Sequence, residues 1–259
     1  MIAVENTLDK KSLESQVKEM YRNVALYPDA QYHFETGHSL ALRLGYPDEM
    51  LNRIPAESIE SFAGVGYHFE LAGIKPGDRV LDLGCGSGTD LFIAAELAGP
   101  TGHVVGVDMT DEQLAKSQKL ALMKRYSNVS FFKGYIEKLP FVDQEFDVII
   151  SNGVFNLSPE KQSLFSEIAR VLKKGGRLAF SDIVTETLLP VSITCDASLW
   201  AACIGGATYE EELYGLLENN GFEKVQVIQN VQYEFLSNSA KGAVKKYGVK
   251  SISLCAERS

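Results

Sequence analysis

Val80-Leu-Asp-Leu-Gly-Cys-Gly-Ser-Gly88 is the stretch on which the reading of this chain turns. Arg79-Val-Leu-Asp-Leu83 is a short apolar run that predicts a strand, and Leu91 to Leu97, stopped by Gly99-Pro100, predicts the helix that follows. Between them Gly84, Gly86 and Gly88 let the chain turn with positive φ and leave bare backbone beside a helix N-terminus. Strand, tight glycine turn and helix together predict a cofactor site, with Asp82, Gly84, Cys85, Gly86 and Gly88 as candidate binding residues.

Outward from this turn the same rhythm repeats. Val104-Val-Gly-Val-Asp108 reads as a second strand, and Thr110-Asp-Glu-Gln113 opens a helix with a capping box that runs to about Arg125. Val129–Lys133, Phe146–Ser151 and Arg177–Asp182 read as three further strands. Ser158-Pro159 predicts an N-cap with proline at the first helical position for Glu160–Leu172, and Lys173-Lys-Gly-Gly176 ends that helix. Strands alternating with helices of 10 to 15 residues predict a doubly wound, mostly parallel sheet of Rossmann-like α/β class. The tail changes: a helix opens at Thr208-Tyr-Glu-Glu211, then Lys224–Phe235 and Ser251–Cys255 are β-rich, with Ser239–Tyr247 as a short helix and one strand expected antiparallel. Before the core, Leu13, Val17, Met20 and Tyr21 share one helical face, and Tyr27–Pro55 is irregular and rich in turns, which predicts a helical lid. The expected divisions are residues 1–70 for the lid, 71–183 for the cofactor-binding core, and 184–259 for a substrate-facing insertion and the strands that complete the sheet.

Composition narrows the function classes. The 259 residues are 45% apolar and carry a net charge of −9, which suits a globular core and is the wrong sign for a phosphate-backbone binder, so no nucleic-acid partner is expected. Nothing approaches an apolar run of about 20 residues, and Met1–Lys11 is polar, so neither a membrane partner nor a leader is expected and the location reads as cytoplasmic. Cys85, Cys195, Cys203 and Cys255 lack the short paired spacings of a zinc site or a disulfide framework, so they read as reduced thiols and no resident metal is expected. Oligomeric state is not legible.

The glycine turn also selects among cofactors. A nicotinamide fingerprint wants glycine or alanine where Thr89 stands, and here Asp82 precedes the turn. Asp-x-Gly-x-Gly-x-Gly instead resembles class I S-adenosylmethionine-dependent methyltransferases, whose ligand carries an ammonium and a sulfonium. Asp108, ending the second strand 20 residues beyond Gly88, is set to accept both ribose hydroxyls, with Met109 beside it. Gly134-Tyr135-Ile136-Glu137 follows the third strand where adenine is met, and the fourth strand brings Ser151-Asn152 to the methyl-transfer edge.

From about Gly45 to Glu257 the chain further resembles the arsenite methyltransferases, most specifically in Trp200-Ala-Ala-Cys-Ile-Gly-Gly-Ala207. That family binds trivalent arsenic through converging thiolates. The resemblance carries one ligand onto Cys203. A second family cysteine, in Ser-Asn-Cys-Val, falls on Gly153 of Ser151-Asn-Gly-Val154, and a third, in Gly-Cys-Gly, falls on Val65 of Gly64-Val-Gly66. One thiolate does not make a trigonal arsenic site, so the expected acceptor is a small organic molecule, methylated by in-line displacement. The alternatives are a metalloid or thiol acceptor using Cys203, and a non-catalytic cofactor-binding protein. Tyr32-His33-Phe34, His38, Tyr67-His68-Phe69, Phe155, Trp200 and Tyr209 are available for an aromatic pocket. His33 and His68 are candidate proton acceptors for an oxygen, nitrogen or carbon nucleophile, or alternatively lid packing. Cys203 is either a ligand thiol or a small buried hydrophobe; Cys85 is expected to pack within the turn and Cys255 in the core.

Overall fold

The computed structural model describes residues 10–195, 199–200 and 204–259. β1 (Arg79–Leu83) pairs in parallel with β2 (His103–Asp108) on one side and β4 (Phe146–Asn152) on the other. β3 (Val129–Lys133) extends the sheet beyond β2, and β5 (Leu172–Thr185) lies beyond β4, both parallel. β8 (Lys250–Arg258) is antiparallel to β5 and to the edge strand β7 (Phe222–Gln229), and the two-residue β6 (Thr208–Tyr209) pairs with the end of β5. The order β3-β2-β1-β4-β5-β8-β7 reverses direction between β1 and β4. At such a reversal the connecting segments leave toward opposite faces and a crevice opens at the carboxyl ends of the strands. The mostly parallel α/β sheet with one antiparallel strand near the C-terminus is the architecture expected from the alternation of elements.

Alternate side chains explain the two layers. Val80, Val104, Val148, Ile150 and Ala179 face one side, against α6 (Thr89–Ala98) and α7 (Asp111–Met123). Leu81, Leu83, Val105, Val107, Ile149 and Leu178 face the other, against α8 (Lys161–Val171) and α10 (Glu210–Asn219). A strand covered on both faces has no polar alternation to preserve, which is why β1 and β4 read as continuous apolar runs. The closing helix α11 (Asn238–Tyr247) is N-capped by the Ser237 hydroxyl, which accepts from Ala240 N.

Ahead of β1 lie five helices, α1 (Lys10–Leu26), α2 (His38–Arg43), α3 (Asp48–Leu51), α4 (Ala56–Glu60) and α5 (Phe69–Ala72); α9 (Val191–Thr194) precedes the Trp200 segment. Leu13 and Val17 of α1 are buried with Trp200. α1 is held by this cluster, by Ser61 Oγ donating to Val24 O at 3.1 Å, and by pairs such as Arg22 Nε to Glu112 at 2.9 Å; partly exposed pairs of that kind contribute about 1 kcal/mol or less.

Several boundaries differ from the sequence reading: the strand expected over Lys224–Phe235 runs from Phe222 to Gln229, and Thr208–Tyr209 pairs as a strand before the helix that begins at Glu210. α8 starts at Lys161, with Glu160 as its cap residue; the Ser158 hydroxyl accepts from Glu160 N at 3.1 Å and turns the chain ahead of the helix. Lys173–Gly176 does not end the helix in a turn but runs within β5, because Leu172 is already extended and the Phe146/Val148 register shift absorbs the glycine pair.

Candidate cofactor and acceptor site

At the crevice the turn closes on itself: Gly84 N and Cys85 N both donate to Val107 O, at 2.8 and 3.0 Å, and Gly88 N donates to Cys85 O. Gly84, Gly86 and Gly88 all have positive φ, of 72°, 52° and 97°. A Cβ at Gly84 would run into the Val154 side chain, so bare backbone is a steric requirement there as well as a conformational one. The turn opens onto a cavity of about 460 Å³. Its floor is the turn, Asp82 and Asp90; one wall is Asp108, Met109 and the 134–138 loop; the roof is α1 through Leu13, Glu14, Val17 and Tyr21; and its far edge is Asn152, Gly153, Val154 and Leu157.

Three carboxylates converge on this cavity. Asp82 is 2% exposed and its Oδ2 has no hydrogen-bond partner. Burial, with Asp90 and Asp108 nearby, pushes its carboxyl far above the ordinary range. Asp90, on the first turn of α6, is pushed up to about 6 by burial, against two hydrogen bonds that favour the anion. Those are Tyr46 Oη to Oδ1 at 2.7 Å and Asn152 Nδ2 to Oδ2 at 3.0 Å. Asp108 accepts from Gly86 N at 2.9 Å and Thr110 N at 2.8 Å, and burial raises its carboxyl against those bonds. The Thr110 hydroxyl and Met109 N also favour its anion, and a carboxylate lining the cavity suits a further donor such as a hydroxyl. An unpartnered buried carboxylate oxygen, two more acids and a turn of bare glycine backbone suit a ligand bearing cationic groups and a diol. The residues fit S-adenosylmethionine.

Cys85 points into the sheet against Gly106, and burial drives its thiol well above its ordinary range, leaving it inert. Ile136 is buried at the cavity wall, Glu137 accepts the Ser158 hydroxyl, and Tyr135 Oη donates to Glu14 Oε1 at 2.5 Å while accepting from Lys18 Nζ at 2.6 Å. The 134–138 loop is therefore tied to α1. So is the turn, through Gln113, whose Oε1 accepts from Ser87 Oγ at 2.6 Å and whose Nε2 donates to Tyr21 O at 2.8 Å.

At the carboxyl end of β4 Asn152 is fully committed. Its Oδ1 accepts from Val65 N at 2.8 Å, and its Nδ2 also reaches Tyr46 Oη at 2.9 Å and Gly66 O at 3.0 Å. Ser251 Oγ donates to Val65 O at 2.6 Å and Ser253 Oγ to Tyr67 O at 3.2 Å. The 64–67 segment is thus clamped onto the ends of β4 and β8. A Cβ at Gly64 would sit 2.7 Å from Asn152 Nδ2, so glycine is needed for the close approach. This clamp puts Val65 beside Gly153: a Cβ at Gly153 would lie 3.4 Å from Val65 Cγ1. The two positions onto which the resemblance carried thiols are neighbours, and an isopropyl group and a hydrogen stand there.

The expected aromatic pocket is corrected. His68 is fully buried, with Nδ1 3.3 Å from Ser181 Oγ, and burial lowers it to about 3, so it is neutral and behind the 64–67 segment rather than on the cavity wall. His33 stands edge-on to Phe34 at 4.7 Å and likewise does not line the cavity. Tyr67 and Phe69 pack around Tyr46, and Phe155 joins Phe165 and Phe180 in the core. The rings that reach the cavity are Tyr21, Phe62 and Tyr135, with Tyr32 and Phe34 stacked behind Tyr21. Cys203 lies outside the described residues. Asp90 had a sequence signal, an acid in the first turn of the helix after the glycines; Tyr46 and Gln113 had none, since tertiary packing alone brings them to the turn.

Comparison with known proteins agrees with this geometry. Residues 74–221 match the profile of a family described as a methyltransferase domain. The chain is 39% identical over 205 residues to an arsenite methyltransferase of Halobacterium salinarum, covering 79% of this chain and 52% of that protein. It is 32% identical over 227 residues to the ubiquinone/menaquinone biosynthesis C-methyltransferase UbiE of Stutzerimonas stutzeri, covering 79% and 86%. Among solved structures it is similar to CrArsM, an arsenic(III) S-adenosylmethionine methyltransferase from Chlamydomonas reinhardtii, at 34% identity and a TM-score of 0.69, covering 82% of this chain and 72% of that one. The chain spans about half the length of the Halobacterium arsenite methyltransferase.

Proposed function

We propose, from the premise that the chain belongs to the methyltransferase-domain family, that it moves a methyl group from S-adenosylmethionine to a small organic acceptor. Bound at the glycine turn, this cofactor supplies an electrophilic methyl on a sulfonium. The residues of the chain supply alignment and exclusion of water. Asp108 and the 134–137 loop hold the nucleoside end, the turn and the buried acids hold the cationic end, and Leu13 and Val17 of α1 roof the cavity. Fixing two reactants in line inside a dry cavity accounts for most of the acceleration that a methyl transfer needs, with no obligatory acid or base.

The observation that carries the choice of acceptor is the contact between Val65 and Gly153. Neither side chain donates to a soft metalloid; around them Phe62, Ala63, Val154 and Leu157 line the cavity, and the polar group among them, the Asn152 amide, is engaged by Val65, Gly66, Tyr46 and Asp90. That wall favours an apolar or flat organic molecule whose nucleophilic atom is presented at the edge. Incubation with methyl-labelled S-adenosylmethionine and a metabolite extract tests the reading. A labelled organic product is expected; label appearing only in methylated arsenic when As(III) and thiol are added would replace it. That second reading, As(III) as acceptor through Cys203, is supported by the 39% identity to an arsenite methyltransferase.

A further inference from the structure

Tyr46 sits in the loop between α2 and α3, 2% exposed, with its ring edge-on to Phe62 at 5.1 Å and Tyr67 at 4.9 Å. Its hydroxyl is spent on Asp90, and it accepts in turn from the amide that also binds Asp90. Nothing in the glycine turn requires this. An acid in the first turn of α6 is already favoured by the helix N-terminus, yet two neutral donors from separate elements, the α2–α3 loop and β4, have been brought to it. Asp82, in the same cavity, is given none and carries an unpartnered oxygen. The two acids are thereby set apart: two donors favour the anion of Asp90, and none favours that of Asp82.

We propose that Tyr46 is a positioning residue for cofactor binding: with Asn152 it holds Asp90 as an anion facing the cavity, and that anion makes the site prefer a ligand charged at the sulfur position over one neutral there. The proposal rests on the reading of the cavity as the S-adenosylmethionine site. It gives the chain a way to favour the sulfonium substrate over its neutral-sulfur product, S-adenosylhomocysteine, at the end where the two differ.

The groups facing Asp90 are Tyr46 from the α2–α3 loop, Asn152 from β4, Asp82 from β1 and Tyr67 from the clamped segment; Asp108 acts on Asp82. Burial raises Asp90 and the Tyr46 and Asn152 bonds lower it, leaving it near 6. Removing one bond moves its titration upward. Affinity for a cation follows the ionised form, so it rises with pH through that titration.

Calorimetry with two stable ligands tests this without turnover. Sinefungin carries an ammonium in place of the methylsulfonium, and S-adenosylhomocysteine is neutral there; both keep the amino-acid ammonium. In Tyr46→Phe, which retains the ring, sinefungin affinity at pH 7 is expected to fall about three- to ten-fold, recover by about pH 9, and show a midpoint moved upward from the wild-type value. S-adenosylhomocysteine affinity is expected to change by less than about two-fold. Asp90→Asn is expected to abolish the preference for sinefungin at every pH. An equal loss for both ligands, an unmoved midpoint, or a wild-type preference surviving in Asp90→Asn overturns the proposal. Failure of the wild-type protein to bind either ligand overturns the cofactor reading itself.

Discussion

Restoring thiols at positions 65 and 153 tests the central contact of the acceptor site. In Val65→Cys/Gly153→Cys, the first change removes part of a 1% exposed side chain, at about 1 kcal/mol. The second puts a side chain at a φ of 69°, where left-handed backbone costs an L-residue about 1–2 kcal/mol. The added Cβ, 3.4 Å from a Val65 methyl, is tight in the single variant and relieved in the double one, where that methyl is gone. The sum is about 2–3 kcal/mol. For a chain of this size that lowers Tm by about 5–10 °C and leaves the protein folded. Two thiols so placed close on one trivalent arsenical as an intramolecular chelate. Titration with phenylarsine oxide, which takes two thiolates, is expected to give a one-to-one adduct at least about ten-fold tighter than wild type by mass spectrometry and thermal shift. A folded double variant that binds the arsenical no better than wild type would refute the juxtaposition, and with it the argument that its loss redirects the acceptor.

Other outcomes follow from the same geometry. Asp108→Ala removes two charge-assisted acceptor positions and is expected to weaken S-adenosylhomocysteine binding about 10- to 100-fold by calorimetry; unchanged affinity removes Asp108 from the ribose end. Asp182 accepts from the backbone of Phe155, Asn156 and Ile183 and is raised by burial from 3.8 to about 6. The folded state therefore keeps its proton between pH 4 and 6 while the unfolded state has released it, so this group's contribution falls by about 3 kcal/mol as pH rises through that window. Chemical denaturation of Asp182→Asn across pH 4–6 is expected to show a flatter decline than wild type, whatever the baseline change. Gln113→Ala cuts the tie from Ser87 to Tyr21 O and is expected to speed amide exchange in α1 more than about ten-fold, with β1 and β4 unaffected; uniform acceleration would mean that α1 does not open separately.

The order of layers, the glycine turn, Asp108 at the end of β2 and the 134–137 loop were legible from local pattern, because a buried parallel strand, a positive-φ turn and a capped helix each leave a signature within about ten residues. Boundaries failed where two local signals competed, as at Ser158-Pro159 and at Lys173–Gly176, where sheet pairing won over a helix stop. Aromatics misled because a ring in the sequence reads alike whether it fills a core or lines a cavity. His68 belongs behind a clamped segment, and Tyr21, from a different element, takes the wall instead.

By itself the sequence determined the alternation of strands and helices and the glycine-turn cofactor site, since each depends on residue identity at short range; the cofactor class and the two absent thiols came from the family resemblance of those motifs. Only the tertiary structure decided that Val65 and Gly153, 88 positions apart in the chain, stand in contact, that Asn152 is consumed in holding them there, and that Asp82 and Asp90 differ in their partners. Those relations arise from hydrogen bonds between elements distant in sequence, and a carboxylate's charge in a buried cavity is set by which donors the fold brings to it.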